Sequence, residues 1–196
     1  KDIKIARHTY NARSETVAEK PSFRDAWKRG QHCIIPAQSF FEPDWRSGKA
    51  VPTRIQRKDD KPMGIAGLWA VNRKATGEEV LSFTMLTINA DSHPLFNQFH
   101  RPEDEKRMVV ILDPADYGVW LSCPVTEAPR FFRQWHGHLV AAPSPLPPRA
   151  PRAAGAGKGE RDARIIGRLI PAIDREATPQ AAVEMVRWMT VYRADE

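Results

Sequence analysis

The sequence has few cysteines and no long apolar run. Cys33 and Cys123 are its two cysteines; they are too few for a disulfide framework and lack the close spacing of zinc ligands. No stretch reaches the roughly 18 apolar residues that a membrane-spanning helix needs. The first residues, KDIKIARHTY, are charged, lack the apolar region of a signal peptide, and do not begin with Met. These absences favour a reducing compartment, and we expect a cytoplasmic protein.

Charged residues make up 28% of the chain. It carries 30 Lys and Arg against 24 Asp and Glu, a formal net charge of +6, with 41% hydrophobic residues. This composition is typical of a globular domain. The positive excess favours a polyanionic partner, although a solvated basic surface explains it equally well.

Short apolar runs bounded by turn residues dominate the first 140 residues. Those at residues 33–36, 52–56, 63–69, 81–88 and 108–112 have the length and composition of strands, and the spacer at 75–79 predicts a hairpin. Helices are predicted at residues 22–29, with Ser22 as N-cap, and after Asp113, with Pro114 in the first turn. The pattern predicts an α+β fold with a mainly antiparallel, barrel-like sheet core and a few short helices.

The composition changes near residue 141. Residues 1–140 are predicted to form the globular core. Residues 141–152 contain five prolines in twelve positions, and AAGAGKG follows, so residues 141–159 are interpreted as an extended linker. Residues 160–196 are too few for a stable domain and are expected to pack on the core.

Three stretches contain residues suited to chemistry. In Asn11-Ala12-Arg13-Ser14-Glu15-Thr16, an amide and a guanidinium can hold a nucleophile and grip phosphate, but a local turn explains them too. Glu42 ends an apolar run among aromatics, a partly desolvated setting that suits proton transfer, unless it faces water. His100 precedes a predicted strand beside charged loop residues, where it can act as acid or base or have a structural role.

Histidines also occur as a close pair, His136 and His138. A third ligand with recognisable spacing is lacking, so we interpret the pair as surface residues and predict no metal site.

In this order, the stretches resemble the SOS response-associated peptidase (SRAP) family, which includes abasic-site crosslinking proteins first described as 5-hydroxymethylcytosine-binding. The resemblance covers about residues 7–140. The matching motifs are Asn11 to Glu15, Cys33 to Glu42, Gly67-Leu68-Trp69, Thr84 to Asn89, and His100 with Arg107-Met108.

The resemblance implies a bacterial or phage-derived, nucleoid-associated monomer that binds single-stranded DNA with abasic sites, without a cofactor. In the family an N-terminal Cys, exposed by autoproteolytic loss of the initiator Met, forms a thiazolidine crosslink with the ring-opened sugar. By position, Asn11 would orient that residue, Glu42 would shuttle protons, and His100 would assist ring opening. The same resemblance implies DNA contacts from Arg13 and Arg107.

The chain departs from the family pattern in several places. Neither end of the sequence carries a Cys, and Pro43 stands where the family has Trp, so Trp45 is expected to supply the stacking surface. The loop from His100 to Arg107 is longer than in the family, which makes Arg101 a further candidate DNA contact. Thr87, on the Thr-rich strand, is also expected at the DNA surface.

The C-terminal segment contains Val186-Arg187-Trp188-Met189, which is similar to a segment that precedes the Asn-Ala-Arg motif in the family. Joining Glu196 to Lys1 restores the family order. The chain is therefore either circularly permuted, with Trp188 in the DNA cleft and adjoining termini, or it carries an ordinary C-terminal extension.

Two other functions compete with abasic-site crosslinking. One is a DNA-binding module that has lost the nucleophile and forms no crosslink. The other is a metal-dependent nuclease using Glu42, Asp44 and His100, although these residues lack convincing two-metal spacing.

Overall fold

The computed structural model describes residues 8–73, 77 and 79–144. Strands dominate this part of the chain, and the helices are short. The strands are β1 (Asn11–Arg13), β2 (His32–Ala37), β3 (Ser39–Asp44), β4 (Val51–Arg57), β5 (Met63–Arg73), β6 (Glu79–Asn89), β7 (Arg107–Val109), β8 (Ile111–Leu112) and β9 (Leu139–Pro143). The helices are α1 (Arg24–Lys28) and α2 (Tyr117–Ser122), with 3-10 turns at Phe96–Gln98, Pro114–Asp116 and Ala128–Phe131.

The strands form two sheets. The larger follows the order β1-β6-β5-β2, with β7 paired to β6 and β8 to β5, and the smaller follows β3-β4-β9. Strand β1 runs parallel to β6, and the other pairs of named strands are antiparallel. This arrangement confirms the predicted fold class and the predicted hairpin, which joins β5 to β6.

The larger sheet curls because β5 and β6 separate beyond the pair of Gly67 and Met85. The stretch predicted as one strand at residues 108–112 is divided at Val110 and fills that gap. The Val110 amide donates to the Leu86 carbonyl, and the Ala66 amide donates to the Val110 carbonyl, both at 2.9 Å. Val110 thus lies between β7, which pairs with β6, and β8, which pairs with β5. It bridges the gap between β5 and β6 and closes part of a barrel.

Helix α2 closes the sheet near β2 by burying Trp120 completely. Its indole Nε1 donates to the Cys33 carbonyl at 2.8 Å, and its ring stacks on His32 with centroids 4.3 Å apart. A buried indole is stable here because its single donor has a partner.

The predicted N-cap at Ser22 is wrong, whereas the turn predicted after Asp113 is found. Helix α1 has Phe23 as its N-cap, without a side-chain cap bond, so Ser22 lies outside the helix. Asp113 does precede the turn that contains Pro114, but it makes no capping bond. Its carboxylate instead accepts from Arg133 at 3.1 Å and from the Trp135 indole at 3.0 Å.

Strand β9 extends past the boundary predicted at residue 140. It pairs with β4 as far as Pro143 opposite Thr53, and proline is tolerated there because β9 is an edge strand. Residues 145–159 of the predicted linker and all of residues 160–196 lie outside the described residues. In the part of the chain that is described, no helix has the length and apolar character to cross a membrane.

Gly67 lies on β5 between its partners Cys33 on β2 and Met85 on β6. A Cβ there would lie 2.3 Å from Ile35 Cδ1 and 2.6 Å from the Thr84 carbonyl oxygen. We expect Gly67→Ala to lower the free energy of unfolding by about 2 kcal/mol, because the backbone oxygen cannot easily move. Urea denaturation measures this loss. Gly118→Ala, where a Cβ meets nothing within 4 Å on α2, is the matched control; equal stability for the two variants would contradict the expectation.

Candidate acid–base site

Glu42 and His100 form the centre of the site. Glu42 lies on β3, on the same face as buried Phe40, and its side chain is 11% exposed against 9% for His100. His100 Nε2 is 3.5 Å from Glu42 Oε2. A carboxylate and an imidazole at this separation, largely removed from water, can exchange a proton with each other or with a group bound beside them.

The backbone of His100 is held in an uncommon conformation. Its φ is 63°, in the left-handed region, which disfavours residues with a Cβ. Its amide donates to the Pro43 carbonyl at 2.9 Å, next to a parallel bridge between Asp44 and His100. The end of β3 therefore fixes the histidine beside Glu42, and such local strain is typical of functional positions.

The tautomer of His100 follows from its second contact. Nε2 is 3.1 Å from the Arg107 carbonyl oxygen. Because a carbonyl only accepts, Nε2 carries the hydrogen in this arrangement. The proton-bearing nitrogen is therefore the one that faces the Glu42 carboxylate.

The Arg107 side chain is 11% exposed and held by two carboxylates. Its guanidinium donates to both oxygens of Glu15, at 2.8 and 2.9 Å, and to Glu105 Oε1 at 2.8 Å. It also donates to the Thr87 carbonyl at 2.7 Å. The Arg107 bond holds the pKa of Glu15 below its usual value and, as the largest cause, lowers the pKa of Glu105 to about 2.

Asn11 and Arg13 lie on β1, opposite Met85 and Thr87 of β6. The Asn11 Oδ1 atom is buried and has no hydrogen-bond partner among the described residues. The Arg13 side chain is 58% exposed, and its Nη1 donates to Glu105 Oε2 at 2.5 Å.

The network of Arg107 connects these residues to the acid–base pair. Its side chain contacts Thr87, the neighbour of Arg13 across the sheet, while its carbonyl contacts His100. Glu42 and His100 are thus brought together directly, and Arg13 is linked to them through Arg107, whereas Asn11 is placed only by its position on β1.

Trp45 and Arg101 come together beyond the end of β3. The Arg101 guanidinium carbon lies 4.7 Å from the centre of the Trp45 ring, a cation–π arrangement. Two residues that the sequence named as separate candidates for DNA contact therefore form one partly exposed surface beside His100.

The remaining candidates fall into different settings. The Thr87 hydroxyl lies in the network, 3.2 Å from Arg107 Nη2, in a residue that is 7% exposed. Trp188 and both chain termini lie outside the described residues. His136 and His138 are exposed, as predicted, and His136 stacks on His93.

Residues 8–73, 77 and 79–144 contain no group of three or more His, Cys, Asp or Glu side chains arranged to hold a metal ion. In particular, the Asp44 carboxylate is bound by Arg46.

The two cysteine thiols are poor nucleophiles in this fold. Burial raises the pKa of Cys33 to about 12 and also raises that of Cys123. Because the thiolate is the reactive form, neither cysteine is suited to attack an electrophile near neutral pH.

The fold and the site together define an α+β protein with a curled sheet and a buried acid–base pair at the join of its two sheets. The chain belongs to the SOS response associated peptidase (SRAP) family, whose model matches residues 1–142. This match confirms the resemblance found in the sequence.

Curated relatives are similar over the same region. The abasic site processing protein YobE of Bacillus subtilis is 37% identical over 128 residues, which are 65% of this chain and 55% of the relative. YoaM, an abasic site processing protein of the same organism, is 32% identical and covers 68% of this chain and 55% of its own length. The chain thus spans about half the length of the curated relatives it matches.

Solved structures agree with the fold. A crystal structure of a Bordetella bronchiseptica protein matches with a TM-score of 0.68 and 55% identity, covering 69% of this chain and 65% of that one. A second, from Bacteroides thetaiotaomicron, matches with a TM-score of 0.62 and 27% identity, covering 70% of this chain and 59% of that one.

Proposed function

We propose that this chain carries the acid–base and DNA-binding part of a sensor of abasic sites in single-stranded DNA. The observation that carries the proposal is the buried contact between Glu42 and His100. The names of its relatives, abasic site processing proteins, supply the substrate.

The chemistry of an abasic site needs two proton transfers that such a pair can provide. The closed sugar opens to an aldehyde when its anomeric hydroxyl loses a proton and its ring oxygen gains one. An amine then adds to the aldehyde, and the hydroxyl that forms takes up a proton and leaves as water, giving an iminium ion. A neighbouring thiol adds to this ion with loss of a proton. Glu42 would accept the proton from the amine, and His100 would donate at the sugar.

The buried Asn11 amide oxygen fits the same reaction. An Oδ1 atom without a partner among the described residues can accept a hydrogen bond from the attacking amine, which would orient it. A buried acceptor gains from such a donor because an unmade hydrogen bond costs about 1–3 kcal/mol.

The amine and thiol would come from an N-terminal Cys that is absent from this sequence, since Cys33 and Cys123 have raised thiol pKa values. Full-length protein incubated with single-stranded DNA containing one abasic site is expected to give an adduct that survives denaturing electrophoresis. Undamaged DNA of the same sequence is the control. No adduct, with binding retained, would refute the crosslinking function.

A second candidate is a binding module without crosslinking, favoured by the same raised thiol pKa values. It predicts salt-dependent binding and no adduct. Strand cutting that a chelator abolishes would instead support a metal-dependent nuclease.

Arg13 is the proposed phosphate contact because its side chain is 58% exposed. We expect Arg13→Ala to weaken binding of single-stranded DNA about tenfold, whatever the base sequence, and to lower the slope of log K against log salt by about 0.7. Fluorescence anisotropy titrations at several salt concentrations measure both. Arg54→Ala, in an exposed position on β4, is the control. An unchanged affinity for Arg13→Ala would place the DNA elsewhere.

A further inference from the structure

Glu105 binds the side chain of Arg13, which the proposed function needs for contact with DNA. It accepts from Arg13 Nη1 through Oε2 and from Arg107 Nη1 through Oε1. We infer that Glu105 is a built-in competitor of DNA phosphate, which holds Arg13 until the DNA backbone displaces it. This inference rests on the proposed function and deepens it by naming a residue that sets DNA affinity.

The position of Glu105 is fixed independently of Arg13. Its Oε1 atom accepts from Arg107 and, at 3.1 Å, from Asn89 Nδ2. Asn89 is itself held by the Asp91 carboxylate, which also accepts from the Lys106 amide at 3.0 Å. The carboxylate is therefore anchored through one oxygen and presents the other to Arg13.

The two arginines that Glu105 binds differ in exposure and in the number of their contacts. The Arg107 side chain is 11% exposed and binds two carboxylates, whereas that of Arg13 is 58% exposed and has one hydrogen bond in the described structure. Arg13 can therefore leave Glu105 and rotate toward a phosphate while the rest of the network stays intact.

The contact between Glu105 and Arg13 fits a carboxylate that competes with phosphate for Arg13 better than one that orients Arg13 toward phosphate. A carboxylate that orients an arginine for phosphate leaves its own charge beside that phosphate, where like charges repel. Oε2 of Glu105 binds the terminal Nη1, one of the atoms with which arginine grips phosphate. A DNA phosphate and the Glu105 carboxylate thus compete for the same donor on Arg13.

Glu105→Gln tests the inference, because it removes the charge and keeps the shape. We expect it to bind undamaged single-stranded DNA about five to ten times more tightly at moderate salt, since every tenfold change corresponds to about 1.4 kcal/mol. The slope of log K against log salt is expected to change little, because Arg13 neutralises one phosphate in both proteins once DNA is bound. Asp104→Asn makes the same charge change one residue away, in an exposed position, and is expected to change the affinity less than twofold.

The double variant Arg13→Ala with Glu105→Gln isolates the contact. In the Arg13→Ala background, Glu105→Gln is expected to gain no more than Asp104→Asn does. A gain of full size in that background would show a general charge effect and overturn the inference. So would an affinity of Glu105→Gln that equals or falls below that of Asp104→Asn.

A measurement on the unsubstituted protein covers the case in which Glu105→Gln does not fold. The ¹³C resonance of the Glu105 carboxyl group is expected to shift when a single-stranded oligonucleotide is added, with the same midpoint as binding. An unchanged resonance at saturation would overturn the inference while leaving DNA binding established. Failure of the unsubstituted protein to bind DNA at all would instead overturn the proposed function and this inference with it.

Discussion

Replacing Glu42 with Gln in the full-length protein is expected to slow formation of the abasic-site adduct by about a hundredfold or more, the usual effect of losing a general acid or base. The amide keeps the size of the side chain and its position on β3 but cannot take a proton from the attacking amine. Equilibrium binding of single-stranded DNA is expected to change less than threefold, because a group that acts on protons contributes to rate more than to affinity.

Single-turnover measurements of the adduct, with anisotropy titrations on the same preparations, separate the two effects. Glu79→Gln is the matched control: this carboxylate is paired with Arg73 at the far end of the β5–β6 hairpin, and its loss is expected to change neither rate nor affinity. A Glu42→Gln variant that loses affinity and keeps its rate would assign Glu42 to DNA binding.

The backbone conformation of His100 limits which substitution can test its imidazole. His100 has a φ of 63°, a conformation that Asn adopts more readily than other residues with a Cβ. His100→Asn therefore removes the imidazole with less strain than His100→Ala does. We expect its adduct rate to fall about as far as that of Glu42→Gln, and the double variant to lose little more, because groups acting as one unit are not additive. Additive losses would show that the two side chains act separately.

The strands were predictable because their composition follows burial. In β5, the run from Met63 to Leu68 is buried throughout, and a run of this kind, preceded by turn residues, is recognisable without tertiary information. The division of the apolar run at residues 108–112 was not predictable, because it depends on β5 and β6 separating elsewhere in the chain. The same limit applies to β1, whose three residues are a strand only because β6 lies beside them.

The residues of the site also differ in how far the sequence predicted them. Glu42 and His100 were identifiable as chemical residue types, and the family resemblance placed them together. Glu105 was not identified, although it follows Glu103 and Asp104 in an acidic cluster directly before Lys106 and Arg107. A charge cluster in a loop usually faces solvent, so only the fold shows that one of its carboxylates reaches an arginine 92 residues away in sequence.

The position of Arg107 also changes the interpretation of the family motif. The sequence suggested a DNA contact, whereas its buried side chain and two carboxylate partners favour a positioning role. Its side chain holds the turn after β1 against β6, and its carbonyl fixes the tautomer of His100. We propose that Arg107 sets the distance between the DNA-binding and acid–base parts of the site.

We expect Arg107→Leu to lower the free energy of unfolding by about 2–3 kcal/mol at neutral pH, because it removes a largely buried cation from two carboxylates and leaves the Thr87 carbonyl without that donor. Urea denaturation measures the loss. Arg54→Leu, an equal charge change in an exposed position on β4, is expected to cost less than 0.5 kcal/mol. Equal losses for the two variants would show that the network adds nothing to stability.

The pH dependence gives this prediction an independent signature. The arginine lowers the pKa of Glu15 and brings that of Glu105 to about 2 in the folded state, against about 4.3 for a glutamate in an unfolded chain. Depressed carboxylate pKa values stabilise the fold above the unfolded value, and that contribution is lost as the pH falls toward the folded value. The unsubstituted protein should therefore lose stability between about pH 4.5 and pH 2, and Arg107→Leu should lose less of its own over that range. A pH profile of the same steepness for both proteins would mean that other carboxylates, such as Asp59 beside Arg57, control the acid sensitivity of the fold.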